Sequence, residues 1–101
     1  MKPVTQINVI AIKPGKTDEF IEAQRRYIAS VALPPGLISF RMYRSVDGKS
    51  VALVSQYESA TALEQAQQRA VLQQHIETVR SLVESSSPAL YEELYAAENA
   101  G

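Results

Sequence analysis

Two β-compatible runs, Leu37 to Val46 and Lys49 to Glu58, flank the dipeptide Asp47-Gly48. No other feature constrains the fold as tightly, because a two-residue type I′ turn needs positive φ at both central positions and Asp-Gly supplies it at low cost. With that turn in place Val46 faces Lys49, and pairing runs back through Met42–Leu53, Phe40–Ser55 and Ile38–Tyr57. Side chains alternate across a strand, so one face of the hairpin carries Ile38, Phe40, Met42, Val51, Leu53 and Tyr57. The other carries Ser39, Arg41, Tyr43, Ala52, Val54 and Gln56. The first face belongs in a core. The second is too apolar at Tyr43, Ala52 and Val54 to be left wholly to water.

The segments on either side supply what the hairpin lacks. Val4 to Ile12 alternates, is rich in β-branched residues and stops at Lys13-Pro14-Gly15, which predicts a strand and a turn. Thr17 is placed to cap a helix whose first turn holds Asp18 and Glu19. Phe20, Gln24, Tyr27, Ile28 and Val31 form one helical stripe, interrupted only by Gln24. Leu33-Pro34-Pro35-Gly36 ends it. After Ser59 or Thr61 as caps, a weakly apolar helical piece precedes a stronger stripe of Val71, Leu72, His75, Ile76, Val79, Leu82 and Val83, with a break near Gln68–Ala70. Ser85-Ser86-Ser87-Pro88 closes that helix, and Ala89 to Tyr95 reads as a last strand. The order is strand, helix, strand, strand, helix, strand: an α+β, ferredoxin-like split βαβ with a four-stranded antiparallel sheet. Residues 1–95 form a single domain and residues 96–101 a short C-terminal tail. Helices cover one sheet face; the bare one is expected to meet a second copy in a homodimer.

Composition then removes whole classes of function. Ten basic and eleven acidic side chains leave a net charge of −1, no footprint for nucleic acid or an anionic membrane surface. No apolar run approaches the roughly 20 residues of a bilayer span, and the alternating opening segment does not resemble a signal peptide, so a cytoplasmic location is expected. With no cysteine and one histidine, neither a disulfide framework nor the usual zinc constellations can be assembled within one chain. The four glycines are scattered, not gathered into a phosphate loop.

His75 is the foremost candidate for chemistry: an imidazole on an apolar stripe can accept a proton from a phenolic substrate or ligate a heme iron, or be a core histidine held by one hydrogen bond. Tyr27, on the inward stripe of the first helix, can bond or stack on a planar ligand, or pack with its hydroxyl at the rim. Phe40, Met42 and Tyr57 read as core or pocket wall.

Ile7 to Phe20, with its strand, Lys13-Pro14-Gly15-Lys16 turn and acidic helix start, resembles the opening of antibiotic-biosynthesis monooxygenase (ABM) domains. Pro35-Gly36-Leu37-Ile38-Ser39-Phe40-Arg41 is similar to that family's entry to its second strand. Gln56-Tyr57-Glu58-Ser59 resembles the exit from its third, with tyrosine where tryptophan is usual, and Pro88-Ala89-Leu90-Tyr91-Glu92 its closing strand. The resemblance spans residues 4 to about 95 and implies a dimeric α+β barrel with a pocket between sheet and helices in each subunit. Asn8 falls where the heme-degrading branch carries a functional asparagine; Ala66 and Ile76 fall where that branch has tryptophan and histidine. The implied activity is a cofactor-independent monooxygenase acting on a small hydrophobic or aromatic molecule (a quinol or polyketide-like ring), with His75 and Asn8 catalytic and Tyr27, Phe40, Met42 and Tyr57 binding substrate. The alternatives are a non-catalytic dimer that binds a small ligand or a partner, and a heme binder.

Overall fold

The computed structural model describes residues 2–100. Its elements are β1 (Val4–Ile12), α1 (Thr17–Ser30), β2 (Leu37–Arg44), β3 (Ser50–Tyr57), α2 (Ala60–Gln67), α3 (Ala70–Val79), a 3-10 turn (Arg80–Leu82) and β4 (Val83–Tyr91). The strands form one antiparallel sheet in the order β2-β3-β1-β4, the ferredoxin-like arrangement that the segment order predicts. Among the described residues no helix is long and apolar enough to cross a membrane.

Two apolar clusters hold the layers together. Ile10, Ile12, Phe20, Val51, Val79 and Leu82 form the larger one, backed by Met42 and Leu53; Tyr57, Ala62, Leu63 and Ala66 form the smaller, backed by Val4 and Leu37. Phe20 and Val51 are fully buried, and each contributes about 1.5–3 kcal/mol by leaving water. Ser59 caps α2 by accepting from the Ala62 amide at 3.1 Å, a bond of about 1 kcal/mol. The break between α2 and α3 falls at Gln68 and Arg69, inside the expected interval.

Several local expectations are corrected. The β2–β3 connection is not a two-residue type I′ turn, since Asp47 does not take positive φ. Ser45 and Ser50 close a four-residue loop in which Gly48 donates to the Ser45 carbonyl at 2.9 Å and alone takes the left-handed conformation, φ +77°. Asp47 is recruited for its carboxylate, which accepts from the Ser45 hydroxyl at 2.7 Å and the Lys49 amide at 3.0 Å; the Ser45 bond, then the amide, hold its pKa below the usual carboxylate value. Met42–Leu53 and Phe40–Ser55 pair as expected, but a register shift between Leu37 and Ser39 places Leu37, not Ile38, opposite Tyr57. Leu37 therefore packs on the smaller cluster and Ile38 is 54 % exposed. Thr17 does not cap α1: the cap position is Lys16, and the Thr17 hydroxyl donates to the Gly48 carbonyl at 2.7 Å, tying helix to hairpin. The serine run does not close a helix either. The chain turns at Arg80–Leu82, and Ser85-Ser86-Ser87-Pro88 lies within β4, which ends at Tyr91. Pro88 is tolerated there because β4 is an edge strand.

Candidate functional site

Each inward-facing row changes character along its length. On β1, Ile12 and Ile10 belong to the larger cluster and Val4 packs on the smaller; by strand alternation Asn8 and Gln6 lie between them. On β3, Val51 and Leu53 give way to Ser55 before Tyr57 is reached. On α1, Phe20 is followed on the same stripe by Gln24 and Tyr27; on α3, Val79 is preceded by His75 and Leu72. The strand register sets Asn8 opposite Leu53 and Gln6 opposite Ser55. On β1 and β3 polar side chains thus separate the two apolar clusters, and on α1 and α3 they follow the larger one, a polar band by position along the elements. Burying amides and an imidazole is costly unless they are bonded, so a stable core has no use for such a band by itself.

His75 lies within it. Its ring stacks on Tyr27 with centroids 4.2 Å apart and planes 10° from parallel, and its Nε2 meets Gln24 Oε1. Burial lowers the His75 pKa, so the imidazole is neutral near pH 7. Asn8 supplies a buried side-chain oxygen, Oδ1, with no hydrogen-bond partner; a buried acceptor left unpaired costs about 1–3 kcal/mol. Tyr57 is buried in the smaller cluster, and its pKa is raised by burial first and by the neighbouring Tyr27 phenol second, against a lowering by Arg69. Phe40 is half-buried opposite Ser55.

Met42 packs on the larger cluster and also floors a cleft of about 370 Å³ at the seam of α1 and β2, lined further by Asp18, Ile21, Glu22, Arg25 and Arg44. A second cleft of about 360 Å³ lies between the start of α1 and the β2–β3 loop. Neither is lined by His75, Asn8, Tyr27 or Phe40. Gln24, which sequence reasoning passed over as an interruption of the α1 stripe, is the residue that holds His75. That interruption was the available signal. The structure does not suit heme ligation through Nε2, because that nitrogen is engaged by Gln24; Ile76 is 41 % exposed at the helix margin, while Ala66 packs in the smaller cluster. Among the described residues no group of His, Cys, Asp and Glu is arranged to hold a metal ion.

The sequence model of the family described as antibiotic biosynthesis monooxygenase matches residues 3–78. No curated protein matches the chain. Among solved structures it is similar to SnoaB, a cofactor-independent oxygenase from Streptomyces nogalater, at TM-score 0.84 and 21 % identity over 98 % of this chain and 100 % of that one. It is likewise similar to Rv0793 from Mycobacterium tuberculosis, at TM-score 0.81 and 20 % identity, covering 96 % and 100 % of the two chains. A third, SO0527 from Shewanella oneidensis, aligns at TM-score 0.79 and 23 % identity over 89 % of each chain. At these identities the likeness is one of fold.

Proposed function

The chain belongs to the antibiotic biosynthesis monooxygenase family, and on that premise we propose that it oxidises a small, electron-rich aromatic molecule with O₂ at the polar band, without a bound cofactor. The observation that carries this reading is a neutral imidazole and an unpartnered amide oxygen on rows that face the space between sheet and helices. His75, as general base, removes a proton from an activated ring methylene, as in an anthrone. The carbanion gives one electron to O₂, and the resulting radical and superoxide combine into a hydroperoxide that takes back a proton. Loss of water from it leaves a carbonyl. One oxygen atom enters the substrate and the other departs as water; the substrate supplies all four electrons. Asn8 Oδ1 accepts from a substrate hydroxyl, and Tyr27, with Phe40, Met42 and Tyr57, lines the ring's path. Admitting the ring requires Tyr27 and His75 to part.

The outer sheet face completes the proposal. Ile7, Val9, Tyr43, Ala52, Val54 and Tyr91 share it by register, with Val9, Tyr43 and Tyr91 about half exposed. Burying that patch against a second copy forms a homodimer.

Oxygen uptake with a panel of quinols and anthrones tests the chemistry. Turnover should fall about 10²–10⁴-fold in His75→Ala; absence of uptake across the panel, or uptake indifferent to that substitution, refutes it. A second reading, a non-catalytic binder of small hydrophobic ligands, is favoured by the engagement of His75 on both its face and its edge. Native mass spectrometry showing a co-purifying ligand, with no uptake on the panel, selects it.

A further inference from the structure

Apart from the Tyr57 phenol, Ser59 and Gln24 are the polar side chains buried over their whole length among the described residues. Ser59 is accounted for by the N-terminus of α2, which it caps. Gln24 has no such duty. It lies mid-helix, 5 % exposed, on the stripe that Phe20 begins, where an apolar residue would finish the packing more cheaply. Its recorded hydrogen bond is the one to His75.

The geometry of that bond is selective. A neutral imidazole carries its proton on either Nδ1 or Nε2, and which one is set by the partner of the other nitrogen. The Gln24 carboxamide oxygen can only accept, so Nε2 must donate to it and the lone pair is left on Nδ1. Tyr27 lies three residues further along α1, on the same helical face, and stacks on the ring. Within one helical turn of α1, Gln24 holds the imidazole at its edge and Tyr27 covers its face until a substrate ring takes that place. The titratable groups nearby are the Tyr27 phenol on α1, the Tyr57 phenol on β3 beside it, and Arg69, which acts on Tyr57. Among the described residues no carboxylate or guanidinium bonds to the ring.

We propose that Gln24 is a positioning residue for the base: its carboxamide oxygen holds His75 as the Nε2–H tautomer, so that Nδ1 is the atom that takes the substrate's proton. The proposal rests on the oxygenase reading for its purpose, though not for its test. Once Nδ1 is protonated the ring is a cation, and the bond from Nε2–H to Gln24 becomes charge-assisted and stronger. Gln24 therefore also supports the protonated base during turnover in a site that otherwise disfavours charge.

Because His75 is the chain's only histidine, protein labelled with [¹⁵N]histidine and freed of any affinity tag reports on this ring alone. Imidazole nitrogen shifts should show the Nε2–H tautomer in the wild-type protein near pH 8. Gln24→Met, close in shape but without a good acceptor, should give a mixed tautomer population and titrate lower. Gln24→Glu should keep the tautomer and titrate about 1–3 pH units higher, as a carboxylate beside an imidazolium does. An Nδ1–H tautomer in the wild type overturns the proposal, as does identical tautomer and titration in folded Gln24→Met and Gln24→Glu. These readings are independent of turnover: if no substrate is ever oxidised the oxygenase reading fails while the tautomer result still judges Gln24. Where turnover is found, Gln24→Met should lower kcat and leave KM within about twofold, and Gln24→Glu should move the acidic limb of the kcat–pH profile with the titration.

Discussion

Replacing Gly36 with alanine should destabilise the protein far more than the same change at Gly15, and the difference can be worked from the backbone. Both glycines have left-handed φ, +84° and +76°, a region that costs an L residue about 1–2 kcal/mol. Either substitution recovers about 0.4–1 kcal/mol by restricting the unfolded chain. At Gly15 nothing lies within 4 Å of the added Cβ, whereas at Gly36 it would stand 2.7 Å from Ala62 Cβ and 3.2 Å from Glu58 Cγ. Ala62 sits in the smaller cluster at the start of α2 and cannot swing aside; forcing the two apart adds about 1–3 kcal/mol. The balance is a loss of about 1–4.5 kcal/mol for Gly36→Ala against about 0–1.5 kcal/mol for Gly15→Ala, the steric 1–3 kcal/mol being the difference. For a domain of this size the steric difference is an extra fall in Tm of about 4–24 °C for Gly36→Ala. Urea titrations and thermal melts followed by circular dichroism measure both. Adding Ala62→Gly to Gly36→Ala should return the steric part, although Ala62→Gly alone costs about 1 kcal/mol in the helix. Equal losses at the two glycines, or strict additivity in the double variant, would refute the close approach of α2 to the Pro35-Gly36 turn.

Three further outcomes follow from the same structure. Val54 projects from the middle of the outer face, between Ile7 and Arg41; sedimentation equilibrium at micromolar concentration should show a dimer for the wild type and a monomer for Val54→Lys, and a monomeric wild type removes the sheet-face interface. Asn8→Leu deletes a buried oxygen that has no partner, so stability in urea should hold or rise by about 1 kcal/mol while binding of an active quinol or anthrone weakens; a clear loss of stability would mean that Asn8 is structural. Burial depresses the His75 pKa in the folded state, so below the unfolded value of about 6.5 the unfolded chain binds the extra proton. That contribution to stability is complete above about pH 7 and is lost as pH falls through the folded value; the urea midpoint should drop over that window, and less so in His75→Leu.

The elements that alternate or repeat without interruption were legible in the sequence. The β2–β3 hairpin announced its pairing through the place of Asp47-Gly48 between two strand-like runs: the loop is longer than read but centred there, and Met42–Leu53 and Phe40–Ser55 pair accordingly. The reading failed where a backbone detail overrode the period. At the Pro34–Leu37 turn the Leu37 amide is used by the Pro34 carbonyl and the Glu58 amide by Gly36, so the strand enters with a bulge and Ile38 is turned outward. In β4, a serine-rich run with a proline looks like a loop, and only its place at the sheet edge makes it a strand.

The candidate site was legible in pieces and illegible as a whole, for a physical reason. Gln24, Asn8, Ser55 and His75 each interrupt a different apolar row, and a single interruption has a plain explanation on its own element: a helix margin, a strand end, a solvated face. What gives them joint meaning is their level along the layer, set by how far β1 slides past β3 and where α1 and α3 cross the sheet, and none of that is encoded within one element. Register sets Asn8 against Leu53 and Gln6 against Ser55, and a contact across two helices joins Gln24 to His75. A fold selected only for stability would remove such interruptions independently, since each costs free energy alone. An imidazole secured by an amide that the packing does not need, and an amide oxygen left without a partner, are what packing alone does not explain, and they are why we read these interruptions as a binding site.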